Sequence, residues 1–469
     1  MSHSGGGTFG REPKGDGIGA TLTRMPIGAD STFAGRPGAV GDPPRVIVVS
    51  SEQPGLRMAG PAVRATAWAR ELAATGADVV LAVPQSPDAD LGVPTVVFGE
   101  PSARHFRRLA SDSDVVITQP QRVDVAVGLH RGGARIVYDL YVPSFVEYPA
   151  SQLAAGSGDR RVRRLIERNQ REYAAAIDCG DGFLVASQRQ KDFLWGALGQ
   201  AGRLQAPPSA HEEGQPEVVV APFGLPPKHP AGPMASPLRG VLVPQEAFIA
   251  LWAGGIWNWF DPGTLIEGVA MARQRDPRVT LVFLAAAHPS DAFIGQDAAA
   301  AALRTPLARQ LVAEGGIVFA DSWVPYDQRW GFLRDADVGV CAHYSSPETR
   351  MSFRTRFLDH LWAGLPTITT EGGVLSDAIC AADAGICLPA GDAGVWADAL
   401  VRLAADSSAR NSMAAAAWDL GADYTWPRVA QPIVGLVERL ARGDAGPRRR
   451  PSATQVVAYL AVALENRLR

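Results

Sequence analysis

Two arginines on alternate residues, a carboxylate three positions after the second, and a Gly-x-Pro turn into a β-branched run follow one another in SFRTRFLDHLWAGLPTITTEGG, Ser352 to Gly373. If Ser352 or Thr355 caps a helix here, its first-turn amides and positive dipole end form an anion site, to which Arg354 or Arg356 adds full charge. Planar guanidinium groups match phosphate oxygens bidentately. Asp359 falls on the helical face of Arg356 and can accept hydrogen bonds from a ribose diol, so the pattern asks for a nucleoside diphosphate. The same residues also describe an Arg356–Asp359 surface ion pair with Arg354 in solvent, worth under about 1 kcal/mol. The continuation LWAGLPTITT, an apolar helix end leading into a strand, ties the segment to a sheet core and turns its start toward a cleft.

Other polar residues carry weaker signals. WNWFD offers Trp257 and Trp259 around Asn258, either as a platform for a base or sugar ring or as packing between domains. Gly60 lets backbone approach a ligand. His343 and His288 follow strands, and each either faces the cleft or serves the core. No His, Asp and Glu spacing suggests a metal, and no D-x-D motif appears, so no cofactor or metal is expected.

These residues need a frame to hold them. PRVIVVSS, ADVVLAVP, SDVVITQP and ARIVYDLYVP alternate with helical patterns such as PAVRATAWARELAATGA, in which Pro61 suits a first turn and Gly76 a C-terminal cap. Apolar runs alternating with helices describe a parallel sheet covered on both faces. The charged helix DRRVRRLIERNQREYAAAIDCGD, the strand GFLVAS and the strand PEVVVAPFGLP complete the first unit. Leu225 to Gly240 then packs five prolines into sixteen residues, against both helix and sheet. The alternation restarts with AFIALWAGG, VTLVFLAAA, GGIVFADSW and ADVGVCAHY. The reading is an α/β protein: a disordered leader over 1–43, a Rossmann-like domain over 44–225, a linker over 226–240, a second Rossmann-like domain over 241–440, and a basic tail with a helix over 441–469. Ligands of such doubly wound sheets bind beyond the carboxyl ends of the strands.

Composition agrees. A chain of 469 residues exceeds one ordinary core, and 46% hydrophobic residues supply two. A formal net charge of -3 gives no global reason to expect nucleic acid as a partner. Neither a leader with an apolar core nor a membrane-length apolar run occurs, so a cytoplasmic protein is expected. The tail, with its three consecutive arginines, is read as packing on the body rather than on a membrane surface. Cys179, Cys341, Cys380 and Cys387 show no CxxC spacing and read as buried reduced thiols.

RFLDHLWAGLPTITTEGG resembles the signature of retaining family-4 glycosyltransferases of the two-Rossmann GT-B fold. Aligned on Gly364 and Pro366, Asp359 falls at the family's ribose-binding carboxylate and Arg356 where some members place a lysine. GPAVRATAWARELAATGADVVLAVP is similar to the family's glycine loop and first helix, VVVAPFGLP to its domain-linking strand, and ALWAGGIWNWFDPGTLIEGV to the opening of its second domain. The resemblance implies a donor site that includes Gly255, Trp257, Asn258 and the Ser352–Asp359 segment, with Gly60 in the glycine loop. It also makes Asp139, which ends a strand in YDLYVP, the leading catalytic polar residue; the alternatives are that Asp139 caps a loop or pairs with a core arginine.

The chain departs from that family in two places. GGIWNWFDPGT lacks the Arg and Lys that usually hold the diphosphate, so Arg354, Arg356 and Arg350 would supply the charge. The family's spaced glutamate pair is absent, because Glu348 lies eleven positions before Asp359 and Met351 occupies the expected place. The resemblance implies retaining transfer from a sugar nucleotide to an acceptor that is a glycan, a lipid-linked molecule or a natural product. The departures leave two alternatives: a noncatalytic sugar-nucleotide-binding subunit, or a GT-B sugar-nucleotide epimerase.

Overall fold

The computed structural model describes residues 42–443 apart from 57, 142–145, 148–159, 205–215, 231–235, 285–300, 321–323 and 325–327, together with residue 461. Residues 1–41 of the proposed leader, most of the basic tail, His288 and most of the loop after Tyr141 lie outside the described residues.

Seven strands form the first sheet: β1 (Arg45–Val49), β2 (Asp78–Val83), β3 (Thr95–Val97), β4 (Val115–Thr118), β5 (Arg135–Asp139), β6 (Gly182–Val185) and β7 (Glu217–Val220). Their order is β3-β2-β1-β4-β5-β6-β7, and every pairing is parallel. The central strands are unbroken apolar runs because helices cover both faces, leaving no solvent side to demand alternation. These helices include α1 (Gly60–Ala74), α2 (Ala103–Ser111), α3 (Val123–Gly132), α4 (Arg160–Cys179) and α5 (Gln188–Gln200). Pro61 sits in the first turn of α1, and Gly76 takes φ +93° just past its end.

The second sheet repeats the plan with β8 (Phe248–Trp252), β9 (Val279–Phe283), β10 (Ile317–Phe319), β11 (Val338–Cys341), β12 (Thr367–Thr370) and β13 (Gly385–Leu388) in the parallel order β10-β9-β8-β11-β12-β13. Its described helices are α6 (Pro262–Arg273), α7 (Pro306–Ala313), α8 (Arg329–Asp335), α9 (Pro347–Met351), α10 (Thr355–Ala363), α11 (Val374–Ala381), α12 (Ala393–Ala405) and α13 (Ser407–Gly421). In each sheet strand order reverses beside the first strand, at β1/β4 and at β8/β11, which opens a crevice at the carboxyl ends.

The last described helix, α14 (Trp426–Arg442), corrects the boundary drawn at residue 440. It leaves the second half and packs on the first: Trp426 meets Trp68 of α1 edge to face at 5.2 Å, and Arg439 pairs with Glu217 of β7 at 2.5 Å. The chain therefore crosses between halves twice, and the crossings bond to each other through Leu225 N to Tyr424 O (2.7 Å) and Trp426 N to Leu225 O (2.9 Å). The linker's far end is held by Asp335, which accepts from the Ser236 hydroxyl at 2.6 Å and the Leu238 amide at 2.7 Å.

The cysteine reading also needs correction. Cys380 at the end of α11 and Cys387 in β13 form a disulfide, with Cα atoms 6.2 Å apart, while Cys179 and Cys341 are free and buried. The turn after α11 brings β13 back beside it, so that Cys387, seven residues on from Cys380, meets it, a proximity that CxxC spacing does not register.

Candidate functional site

A cavity of about 580 Å³ lies between the two sheets, lined from the first half by Gly60, Asp139, Tyr141, Glu147 and Glu172 and from the second by Gly255, Trp257, Glu348, Ser352, Arg354, Thr355, Arg356 and Asp359, among others. Of the described residues singled out in the sequence, Arg350, Asn258 and His343 do not line it. Arg350 is exposed, and Asn258 is buried at 2% exposure.

The Ser352–Asp359 segment reaches the cavity because α9 and α10 flank it on a short connection. Ser346 caps α9 by accepting from the Thr349 amide, and Ser352 closes that helix with its amide on Glu348 O. Neither Ser352 nor Thr355 caps α10: its N-cap position is Arg354, no side chain bonds the first-turn amides there, and the Ser352 hydroxyl donates instead to the Glu348 carboxylate. At the other end Gly364 takes φ +60°, with Leu365 N on His360 O, and Pro366 prevents any continuation before β12.

Arg354 donates to Glu348 at 2.7 Å, and both are more than nine-tenths buried. Arg356 donates to Gly255 O at 2.6 Å and lies over the rings of Phe260 (4.2 Å) and Trp252 (4.8 Å). Each guanidinium keeps a buried nitrogen, Nε of Arg354 and Nη1 of Arg356, that has no partner among the described residues. Burial, aided by the nearby Arg354 charge, holds the Arg356 pKa below its ordinary value. Two buried cations beside one another, with donors to spare, favour an anion between them.

Asp359 pairs with Arg329 of α8 at 3.1 Å, and the surface pair with Arg356 is not formed. Burial raises the Asp359 pKa, opposed by the charges of Arg329 and then Arg356. Gly255 sits so close to Trp257 that a Cβ there would lie 2.5 Å from the indole, and Gly254 takes φ +98°. A larger residue would displace the ring from the cavity wall. Gly60 has more room, with the nearest atom 3.7 Å from an added Cβ.

Asp139 follows the second of its alternatives, the core arginine. Arg64 of α1 grips it bidentately, Nε to Oδ2 at 2.6 Å and Nη2 to Oδ1 at 2.9 Å, and Trp68 adds an indole donor at 3.2 Å. Both oxygens are engaged, so Asp139 is not a free base. His343 is fully buried, and burial followed by the Arg354 charge pushes its pKa down to about 2, which leaves it neutral. Glu147 is held up to about 8 by burial and by Glu348, against the pull of Arg354. Among the described residues no group of His, Cys, Asp and Glu could hold a metal ion, and no helix is long and apolar enough to cross a membrane.

No protein-family model matches the chain. It is similar to D-inositol 3-phosphate glycosyltransferases: 26% identical over 243 residues to that of Stackebrandtia nassauensis (50% of this chain, 52% of the relative) and 26% over 311 residues to that of Salinispora arenicola (65% and 63%). The chain spans about half the length of the first of these curated relatives. Among solved structures it is similar to sucrose-phosphate synthase of Thermosynechococcus elongatus (TM-score 0.58, 16% identity, 86% of this chain and 100% of that one). It is also similar to HepE of Anabaena, solved with UDP-glucose (TM-score 0.55, 14% identity, 84% and 99%). The chain has the two-sheet GT-B fold.

Within this GT-B cleft, sequence reasoning missed Arg64, Arg329 and Glu147 as site residues and used Glu348 only to note a departure. Arg64 had a signal: it is the lone charge between Pro61 and Ala69, on a face otherwise made of alanine, valine and tryptophan. Glu348 had one too, standing just inside a Ser-Pro helix start. Glu147 had the same kind of signal as Arg64, being the lone charge of LYVPSFVEYPA, whereas Arg329 follows the polar YDQ, where nothing distinguishes it.

Proposed function

We propose that the protein is a retaining glycosyltransferase that moves a sugar from a nucleoside-diphosphate sugar to an acceptor hydroxyl. The observation that carries this reading is the pair of buried guanidinium nitrogens, Arg354 Nε and Arg356 Nη1, left without partners at a cleft between two Rossmann-like sheets. They can hold the diphosphate in place of the Arg and Lys absent after β8. The uncapped start of α10 adds its amides and dipole to the same charge. In this reading Asp359, paired with Arg329, accepts from the ribose diol, and Trp257 in the cavity wall takes the base or sugar.

As the glycosidic bond breaks, charge grows on the departing diphosphate, and fixed cations that are themselves buried stabilise that charge without reorganising. The acceptor enters from the first half, and its hydroxyl reaches the anomeric carbon from the face the diphosphate leaves. No protein nucleophile is assigned, since Asp139 is held by Arg64. HepE was solved with UDP-glucose, which supports a uridine nucleotide as the first donor to try.

A noncatalytic sugar-nucleotide-binding subunit is favoured by one observation, the engagement of both Asp139 and Glu348 in ion pairs. Calorimetric titration across nucleoside diphosphates, followed by measurement of nucleoside diphosphate released from the matching sugar nucleotide, separates the readings. Binding with steady release supports the transferase, binding without release under any acceptor supports the subunit, and no binding rejects both.

A further inference from the structure

We infer that Arg189 and Gln190 are positioning residues, a latch that ties the two halves of the cleft together and sets the end of β5 against the Ser352–Arg356 segment. The positioning role rests on the proposed transfer; the latch itself is a matter of geometry.

Both residues open α5, a helix of the first half whose start is fixed by Ser187, its hydroxyl accepting from the Gln190 amide at 3.2 Å. Gln190 is 2% exposed, and its Oε1 accepts from Ala186 N at 2.7 Å, which leaves Nε2 aimed the other way. That one nitrogen donates to Tyr141 O at 2.9 Å and to Met351 O at 2.8 Å. Tyr141 stands two residues past Asp139, and Met351 immediately precedes Ser352. A single amide therefore spans the halves at the cavity's edge, using each of its protons on one of them.

Arg189 adds a second tie nearer solvent. It donates to Gly372 O at 2.9 Å and pairs with Asp377 of α11 at 2.5 Å, each partner being about half exposed. An exposed pair of this kind contributes little by itself. The buried amide is the stronger tie, because removing it strands carbonyls that water reaches poorly. A Gln190→Glu change keeps size and shape but turns both donated bonds into acceptor facing acceptor, which pushes the halves apart.

Arg189→Ala, Gln190→Glu and the double variant are compared with the wild type by small-angle X-ray scattering, by UDP titration and by UDP release from UDP-glucose. The latch predicts a larger radius of gyration for Gln190→Glu and the double variant. Wild-type UDP affinity is retained, since Arg354, Arg356 and Asp359 all belong to the second half. UDP release falls by about 10², the scale set by an ångström of misplacement between reacting groups. An unchanged radius of gyration overturns the latch whatever the turnover does, and an increased radius with wild-type turnover overturns the positioning role. Where Gln190→Glu does not fold, Gln190→Ala, which removes the same two donated bonds, takes its place under the same criteria. If the wild type takes no UDP, the functional reading fails alone and the scattering still decides the latch.

Discussion

Arg64 and Asp139 face each other across the first sheet's crevice in a bidentate pair with bonds of 2.6 and 2.9 Å, 0% and 5% exposed. Arg64 also donates to Ala221 O at 2.7 Å, so one guanidinium fastens α1, the end of β5 and the strand leading to the linker. Removing one partner of a buried pair strands the other charge, at a cost of about 3 to 5 kcal/mol. Asp139→Ala and Arg64→Ala should each lower the unfolding free energy obtained from urea titration by that much, with a matching fall in the midpoint. A double replacement by apolar residues of similar volume should recover part of it. Equal midpoints for wild type and Asp139→Ala would show that the pair is not a fastening.

Arg356→Ala removes a buried donor and the stacked cation over Phe260 and Trp252. Hydrogen bonds to charged groups contribute about 1.5 to 3 kcal/mol, so nucleoside diphosphate affinity should drop by about ten- to a hundredfold. Arg356→Lys should recover little, because the ammonium cannot both satisfy Gly255 O and offer a fork to phosphate. Calorimetry on the two variants checks this, and wild-type affinity in Arg356→Ala rejects the assignment.

Much of this frame could be read in the chain before it was seen folded, and the physical reason is local. Runs such as RVIVV and the Gly364–Pro366 stop after α10 carry their element type in their own residues, through burial on both faces and through a φ that glycine tolerates. The convergence of α10 on the cleft followed from that. Partner choice did not. Arg64 and Asp139 are 75 residues apart, and pattern assigns each to a face without saying which charge meets it. The same gap explains Asp359 choosing Arg329 over its helical neighbour, Cys380 meeting Cys387, and α14 returning to the first half.

Half-buried Glu147 and the buried His343 and His360 divide the pH axis. Glu147 has its pKa raised from 4.5 to about 8, so the folded state binds the extra proton, and its contribution to stability is present below 4.5 and lost as pH rises toward 8. His343 and His360 are lowered from 6.5 to about 2 and about 3, so their contribution is present above 6.5 and lost on acidification. Between 6.5 and 8 the Glu147 slope stands clear of the histidines. Chemical denaturation across that window should show stability falling in the wild type and a flatter profile in Glu147→Gln. Parallel profiles would place the Glu147 titration elsewhere.

Gly224 is where the chain leaves the first half, and a Cβ there would lie 2.5 Å from the Trp426 indole, at the point where the returning chain crosses. Its neighbours Phe223 and Trp68 hold that indole at 4.9 and 5.2 Å, so it has no free direction to move. Gly224→Ala should therefore destabilise by about 1 to 3 kcal/mol, the usual cost of overpacking. Pairing it with Trp426→Leu should restore part of the loss by making room. An additive double variant, read from thermal or urea unfolding, would mean that the two residues do not share the strain.

Glu348 neutralises Arg354 at 2.7 Å while Arg356 beside it has no carboxylate bonded to it among the described residues. The pocket therefore holds an excess of buried positive charge that one carboxylate only partly offsets. Glu348→Gln keeps the shape and removes the offset, so the free protein should lose stability, about 3 kcal/mol by the measure of a broken buried pair. An anion that binds only the folded state returns stability in proportion to its occupancy. The gain in melting temperature on adding nucleoside diphosphate should consequently be larger in Glu348→Gln than in the wild type. A smaller gain would mean that Glu348 shapes the site for its ligand rather than balancing its charge, and thermal shift measured over a nucleotide series distinguishes the two.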